Sequence, residues 1–393
     1  MASTDLADLV RDIKDGNLLD VRKAVEAGSS LSLSEYSAAG LTPLGAAVLY
    51  RKADVAQILL DAGADVQRGY KSELCQDKDA RQSDWPEVSP PIHCAAASGQ
   101  SDLICVLVNY GADVNDPSGL DYGAEVLPLF LAAGEATKTL IDLGGDVSRK
   151  NASGFTPLLH AIAREDVASA RLLVEHGADV HVERTPKYKI RIDSPEGVSR
   201  ELVVQGTSSP LIVAGHQGRL RPTTPQMIKI LAQAGADVNK RYYIKDHPYD
   251  FTLLSLICGS RVPVPRLKGQ FAKDDRYGEK ELATVRALID AGVDVHSPPV
   301  LAYICEGEMP FNDFESRFQI LEALIQYGAK VTDVAPLAAL LKSFKKGEEA
   351  KIQFRAMATV LETAGAKWKM LGNLDAAAVP EFLSSRGDRD GSV

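Results

Sequence analysis

The sequence is short of the residues and patterns that carry catalysis, metal binding or membrane insertion. Five cysteines occur (Cys75, Cys94, Cys105, Cys258 and Cys305), none in a C-x-x-C pair. Their odd number and wide spacing argue against a disulfide framework or a zinc ribbon, and they read as reduced and mostly buried. No stretch approaches the roughly 18 apolar residues of a membrane-spanning helix. There is no G-x-x-x-x-G-K-[ST] phosphate loop, no H-E-x-x-H zinc helix, no G-x-S-x-G elbow, no EF-hand loop and no glycine-rich dinucleotide fingerprint after a strand. No metal and no cofactor is therefore expected. The 20 prolines and 31 glycines among 393 residues are too few for a low-complexity disordered chain, so an extensive core is expected. The opening MASTDLADLV carries two aspartates and no basic cluster ahead of an apolar core. Neither a secretory signal nor a transit peptide is expected, and the default compartment is the cytoplasm or nucleus.

Net charge is −9, which disfavours a nucleic-acid binder. The charge is unevenly placed. His181–Lys280 holds 17 Lys and Arg against 10 Asp and Glu, or +7, which leaves 27 against 43, or −16, for the remainder.

What the sequence does have is a repeat. AGADVQ at Ala62 returns as YGADVN at Tyr110, LGGDVS at Leu143, HGADVH at His176, AGADVN at Ala234 and AGVDVH at Ala291, with weaker copies at Ala27, Tyr327 and Ala364. The glycines of these endings (Gly28, Gly63, Gly111, Gly144, Gly177, Gly235, Gly292, Gly328 and Gly365) are spaced 35, 48, 33, 33, 58, 57, 36 and 37 apart, a base period of 33 with insertions. Each ending follows an amphipathic run such as DVAQILL or DLICVLV, with apolar residues at helical spacing. Glycine then stops the run, because a left-handed C-cap is cheap only without a Cβ. Upstream stands a second element, as in LTPLGAAV at Leu41, PPIHCAAASG at Pro90 and FTPLLHAIA at Phe155. A hydroxyl residue before proline is a helix start, with proline at the first position where its missing N–H costs nothing. Each unit therefore reads as helix, turn, helix.

A 33-residue period with T-P-L-H-x-A helix starts resembles the ankyrin-repeat family. The resemblance covers about Leu6 to Lys369. It implies an all-α solenoid of stacked helix-turn-helix units with β-turn or hairpin fingers over 1–369, repeats ending near 31, 67, 115, 148, 181, 239, 296, 332 and 369. A helical end and disordered tail are expected over 370–393. It also implies a concave face, formed by fingers and first helices, that binds another protein. The signature histidine is kept only at His93, where a structural role is expected. Gly45, Phe130, Leu159, Val213, Ser255, Leu301 and Ala338 stand at the other copies, so a less regular array is expected.

The insertions are concentrated. Val182–Gly206 reads as a β-hairpin, because Ile190 and Ile192 alternate with Arg191 and Asp193 ahead of a Pro-Glu-Gly turn. Lys240–Asp250 reads as a shorter finger. Aromatics interleave there with Lys and Arg, a combination suited to an anionic or aromatic ligand or to a partner's acidic segment. Candidate binding residues are accordingly Arg164, His216, Gln217, Ser260 and Glu306 at the groove-facing ends of first helices, and Tyr188, Arg191, Tyr242, Tyr243, Tyr249 and Phe251 in the fingers. Two function classes follow. The favoured one is a monomeric scaffold that recognises a protein partner, without nucleic acid or membrane. The alternative is an unorthodox enzyme performing acid/base chemistry, such as cyclisation or isomerisation of a small molecule, with His216, Tyr243 or His247 as acid or base.

Overall fold

The computed structural model describes residues 2–27, 33–37, 40–71, 88–121, 124–151, 154–183, 187–193, 199–205, 209–216, 222–242, 252–258, 277–296, 300–306, 314–332, 335–343 and 348–366. These fall into two compact units, Met1–Val182 and Glu183–Val393. The expected tail 370–393 lies outside the described residues.

The first unit contains five helix pairs: α1 (Ala2–Asp15) with α2 (Leu18–Glu26), α3 (Pro43–Leu49) with α4 (Ala53–Asp61), α5 (Pro91–Ala97) with α6 (Ser101–Asn109), α7 (Pro128–Leu131) with α8 (Glu135–Asp142), and α9 (Pro157–Ala163) with α10 (Val167–Glu175). Besides the contact within each pair, α1, α3, α5, α7 and α9 stack in one row and α2, α4, α6, α8 and α10 in another. The second unit repeats the scheme with α11 (Pro210–His216), α12 (Thr224–Gln233), α13 (Leu253–Ile257), α14 (Tyr277–Asp290), α15 (Val300–Glu306), α16 (Phe314–Gln326), α17 (Ala335–Ser343) and α18 (Glu348–Thr363). There too, odd-numbered helices contact odd and even contact even. Each row buries its apolar stripe against its neighbours, as Val55, Ala56 and Leu59 of α4 and Leu103, Ile104 and Leu107 of α6 illustrate.

Local chemistry sets the helix limits. Thr42 and Thr156 accept hydrogen bonds from the backbone N–H of Gly45 (2.9 Å) and Leu159 (3.3 Å), each with proline at the first helical position. Thr252 and Ser255 form a reciprocal capping box at α13. At the other end, the repeat glycines among the described residues sit at φ of +84° to +97°. Around Gly111, Ala112 N–H donates to Leu107 and Gly111 N–H to Val108, both at 3.0 Å. A Cβ on Gly111 would meet nothing within 4 Å, so backbone handedness and not space selects glycine.

Gly45, which replaces the signature histidine, is selected by space instead. A Cβ there would lie 2.5 Å from the carbonyl oxygen of Gly69, which the Thr42 hydroxyl binds at 2.7 Å. His93 is 1% exposed inside α5, in keeping with a structural role.

Among the described residues, three antiparallel hairpins form fingers: β1 (Tyr70–Lys71) with β2 (Val88–Ser89), β3 (Gly119–Asp121) with β4 (Ala124–Val126), and β5 (Lys187–Asp193) with β6 (Ser199–Gln205). The third is the hairpin expected from the alternation in Val182–Gly206. Its strands pair over their whole length, from Lys187 opposite Gln205 to Asp193 opposite Ser199. The shorter finger expected after Lys240 lies largely outside the described residues.

Candidate functional site

The finger turns after six of the repeat glycines are built by the aspartate two residues further on. Its Oδ1 accepts the backbone N–H two residues further on, in Asp65 from Gln67, Asp113 from Asn115, Asp146 from Ser148, Asp179 from His181, Asp237 from Asn239 and Asp294 from His296, at 2.8–3.0 Å. These Asx turns explain why the motif reads G-A-D-V. Where asparagine follows, it ties one repeat to the next. Asn115 donates to the Gly144 carbonyl (3.1 Å) and accepts from Asp146 N–H (2.8 Å), and Asn239 does the same with Gly292 (3.1 Å) and Asp294 (2.6 Å).

In the first unit, the ends of the first helices are held by long polar side chains from a neighbouring repeat. Gln100 donates to the Val48 carbonyl at 3.1 Å and Arg51 to that of Ser98 at 3.0 Å. Arg164, expected to reach for a ligand, donates to the carbonyls of Leu131 (2.6 Å), Phe130 (3.3 Å) and Ala132 (3.3 Å). The reason is that α7 stops after four residues, Ala132 turning extended and Gly134 adopting φ +58°, ψ −124°. Carbonyls that another turn of helix would have shielded accept from the guanidinium instead. Beneath them His160 meets Phe130 and Phe155 edge-on, with centroids 5.0 and 5.1 Å apart. Asp166 organises the adjoining turn, accepting from Ser169 N–H (3.0 Å), Ser169 hydroxyl (2.6 Å) and Gly134 N–H (3.4 Å).

In the second unit, Tyr242 corrects the sequence reading. It was expected among the contact aromatics of a finger, yet it is 2% exposed, and its hydroxyl and that of Ser209 share a hydrogen bond of 2.6 Å. Burial raises its pKa above the ordinary phenol value, with Asp237 and Glu183 adding to the shift and Ser209 opposing it. Tyr242 thus anchors its finger to the start of α11. Near it Lys240 pairs with Glu183. His216 is the last residue of α11 and Glu306 the last of α15, both at first-helix ends as the repeat register requires. Tyr188 and Arg191 lie three positions apart on β5, opposite Val204 and Glu201. Gln217, Tyr243, His247, Tyr249, Phe251 and Ser260 lie outside the described residues.

Two polar groups of this unit, one half-buried and one buried, escaped sequence reading. Arg317, on α16, donates to the carbonyls of Ile304 (2.7 Å) and Cys305 (3.2 Å), and burial lowers its pKa. Glu281, on α14, is 1% exposed and no other residue hydrogen-bonds its carboxylate oxygens. Burial pushes it up to about 7. Cys258, fully enclosed, is pushed up to about 12 by the same cause and is a poor nucleophile. Among the described residues, no group of three or more His, Cys, Asp or Glu is placed to hold a metal ion, and no helix is long and apolar enough to cross a membrane.

Comparison with known proteins matches two family models: a three-copy ankyrin-repeat model over residues 92–184 and a single ankyrin repeat over 39–69. Human ankyrin repeat and SOCS box protein 6 is 39% identical over 100 residues, 23% of this chain and 23% of its own length. Human neurogenic locus notch homolog protein 2 is 28% identical over 186 residues, 45% of this chain but 7% of its own length. The chain therefore spans about a quarter or less of these curated relatives. Among solved structures, the ankyrin repeat domain of Bcl-3 is similar at TM-score 0.45 and 21% identity, covering 63% of this chain and 91% of that one. The human ASB11 ankyrin repeat domain is similar at TM-score 0.45 and 18% identity, covering 72% and 96%. The chain carries ankyrin repeats over residues 39–69 and 92–184, and its repeat endings, capped helix pairs and two-row stacking continue the same scheme beyond them.

Proposed function

We propose that the chain is a protein-binding scaffold whose contact surface combines first-helix ends with the long inserted finger of the second unit. Ankyrin repeats generally serve as protein–protein interaction modules. The observation that carries the placement is the β5–β6 hairpin. It presents Lys187, Lys189 and Arg191 at alternate registers in a chain of net charge −9. A local excess of positive charge steers an anionic partner, and aromatic and aliphatic residues supply contact area. The proposed contact residues are Tyr188, Arg191, His216 and Glu306, with Gln217, Tyr243, Tyr249, Phe251 and Ser260 beside them in sequence. Arg164 is proposed as a separate contact of the first unit alone, subordinate to its carbonyl bonds.

Panning a displayed random-peptide library on the full chain tests this. Selected peptides should lose about tenfold or more in affinity on Lys189→Glu, His216→Ala or Glu306→Gln, the first loss being salt-sensitive. A library that yields no binder overturns the proposal. So do binders indifferent to these substitutions but lost on changes in the repeats of 39–115.

A further inference from the structure

We infer that the outer edge of β5 is an acceptor for an extended acidic strand of a partner protein, which would pair as a third strand of the hairpin. The inference rests on the scaffold reading above and names its occupant.

The register divides the hairpin into two unlike faces. Tyr188, Ile190 and Ile192 share one with Val204, Leu202 and Arg200, while Lys187, Lys189, Arg191 and Asp193 share the other with Gln205, Val203, Glu201 and Ser199. The sheet has two strands only, and their mutual pairing is the one extensive contact either makes among the described elements. A lone two-stranded hairpin is marginal in water, so one that places five apolar residues on a single face gains from further pairing. An added strand supplies the missing backbone ladder and meets both faces at once, as in β-augmentation.

Charge selects both the edge and the occupant. On β5 three cations stand at every second position, ~7 Å apart. On β6 the same face carries Ser199, Glu201, Val203 and Gln205, with no cation. An incoming strand with carboxylates at alternate positions and aliphatic residues between them complements β5 on both faces. A second copy of this chain complements it less well: in a centred antiparallel register of β5 on β5, Lys189 falls opposite Arg191 twice, like charge against like charge, although Lys187 falls opposite Asp193 twice. Lysines on an edge strand ordinarily guard against edge-to-edge association. Here the same residues that repel a copy admit an acidic strand.

The test uses the full chain and a fluorescein-labelled heptapeptide of alternating Glu and Val, followed by anisotropy. Three competitors accompany it: the same composition with the glutamates grouped in a block, the alternating peptide N-methylated at every second amide, and a single-stranded oligonucleotide of equal charge. The alternating peptide should bind at least tenfold more tightly than all three. Lys189→Glu with Arg191→Glu should abolish its binding and admit a Lys/Val alternating peptide instead, which also shows that the variant keeps its hairpin. If the alternating peptide does not bind, if the block or N-methylated peptide binds within about threefold of it, or if the oligonucleotide binds more tightly, the strand-pairing inference is overturned. Library peptides that still depend on His216 or Glu306 would in that case leave the scaffold reading intact.

Discussion

Replacing Glu281 by Gln should stabilise the second unit at pH 8 and leave it nearly unchanged at pH 4.5. Glu281 lies on the core face of α14 with Thr284, Val285 and Leu288, all buried, and no other residue hydrogen-bonds its carboxylate oxygens. The helices packed on α14 bring no committed countercharge. Lys229 of α12 pairs with Asp290, and Arg317 of α16 donates to the carbonyls of Ile304 and Cys305. Burial therefore dominates, and it outweighs the opposing pull of the residue's own backbone N–H and of Lys280, moving the pKa from 4.5 to about 7. The sign follows from proton counting. Between these two values the folded chain holds a proton that the unfolded chain has released, so its stability is fully present below pH 4.5, falls as pH rises and is lost above pH 7. At 1.36 kcal/mol per unit the span is about 3 kcal/mol. For a unit near 200 residues that corresponds to ~6–12 °C in Tm. The assay is urea unfolding of the full chain and of Glu281→Gln from pH 4.5 to 8, with amide exchange along α14 to locate the change. Parallel curves for the two proteins would refute the reasoning, because a group that titrates identically folded and unfolded contributes no pH dependence.

Restoring the family residue in Gly45→His should destabilise rather than improve the chain, by about 2 kcal/mol or more, since the Gly69 carbonyl occupies the place of the Cβ; thermal melting of the variant checks this. Asn115→Ala and Asn239→Ala should each cost about 1–2 kcal/mol and accelerate amide exchange at the next turn, around Asp146 or Asp294 respectively, while leaving other repeats protected. Arg164→Gln should cost about 1–2 kcal/mol in urea unfolding by exposing the carbonyls at the end of α7. Tyr242→Phe should cost about 1 kcal/mol by the same measurement, through the Ser209 hydroxyl it leaves behind.

The repeat scheme was legible because its signals are local. A glycine must take φ near +90° whatever lies around it, and a threonine before proline caps its own helix, so Gly111 and Thr42 announced element limits without knowledge of the fold. The alternation in β5 announced a hairpin for the same reason. The Asx turns were equally available in the recurring aspartate and were passed over. What escaped reading depends on contacts between distant residues. Nothing in LPLFLAAGE says that α7 will stop at Leu131 and turn its carbonyls to Arg164, thirty-odd positions away. Tyr242 follows a basic residue in a basic stretch, and only its partner Ser209 reveals it as an anchor. Glu281 reads as a surface charge on an amphipathic helix. Its burial is fixed by neighbours that its own sequence window does not contain.

Where β1 meets β2, the chain leaves at Lys71 and returns at Val88, and these two residues stand opposite each other across the ladder. Lengthening a segment already closed at its base costs only about 0.6 kcal/mol per doubling. That junction is therefore a docking port for splicing: a guest domain with adjacent termini could be inserted there without changing the spacing of either helix row. A reporter inserted in this way would ride on the repeat array.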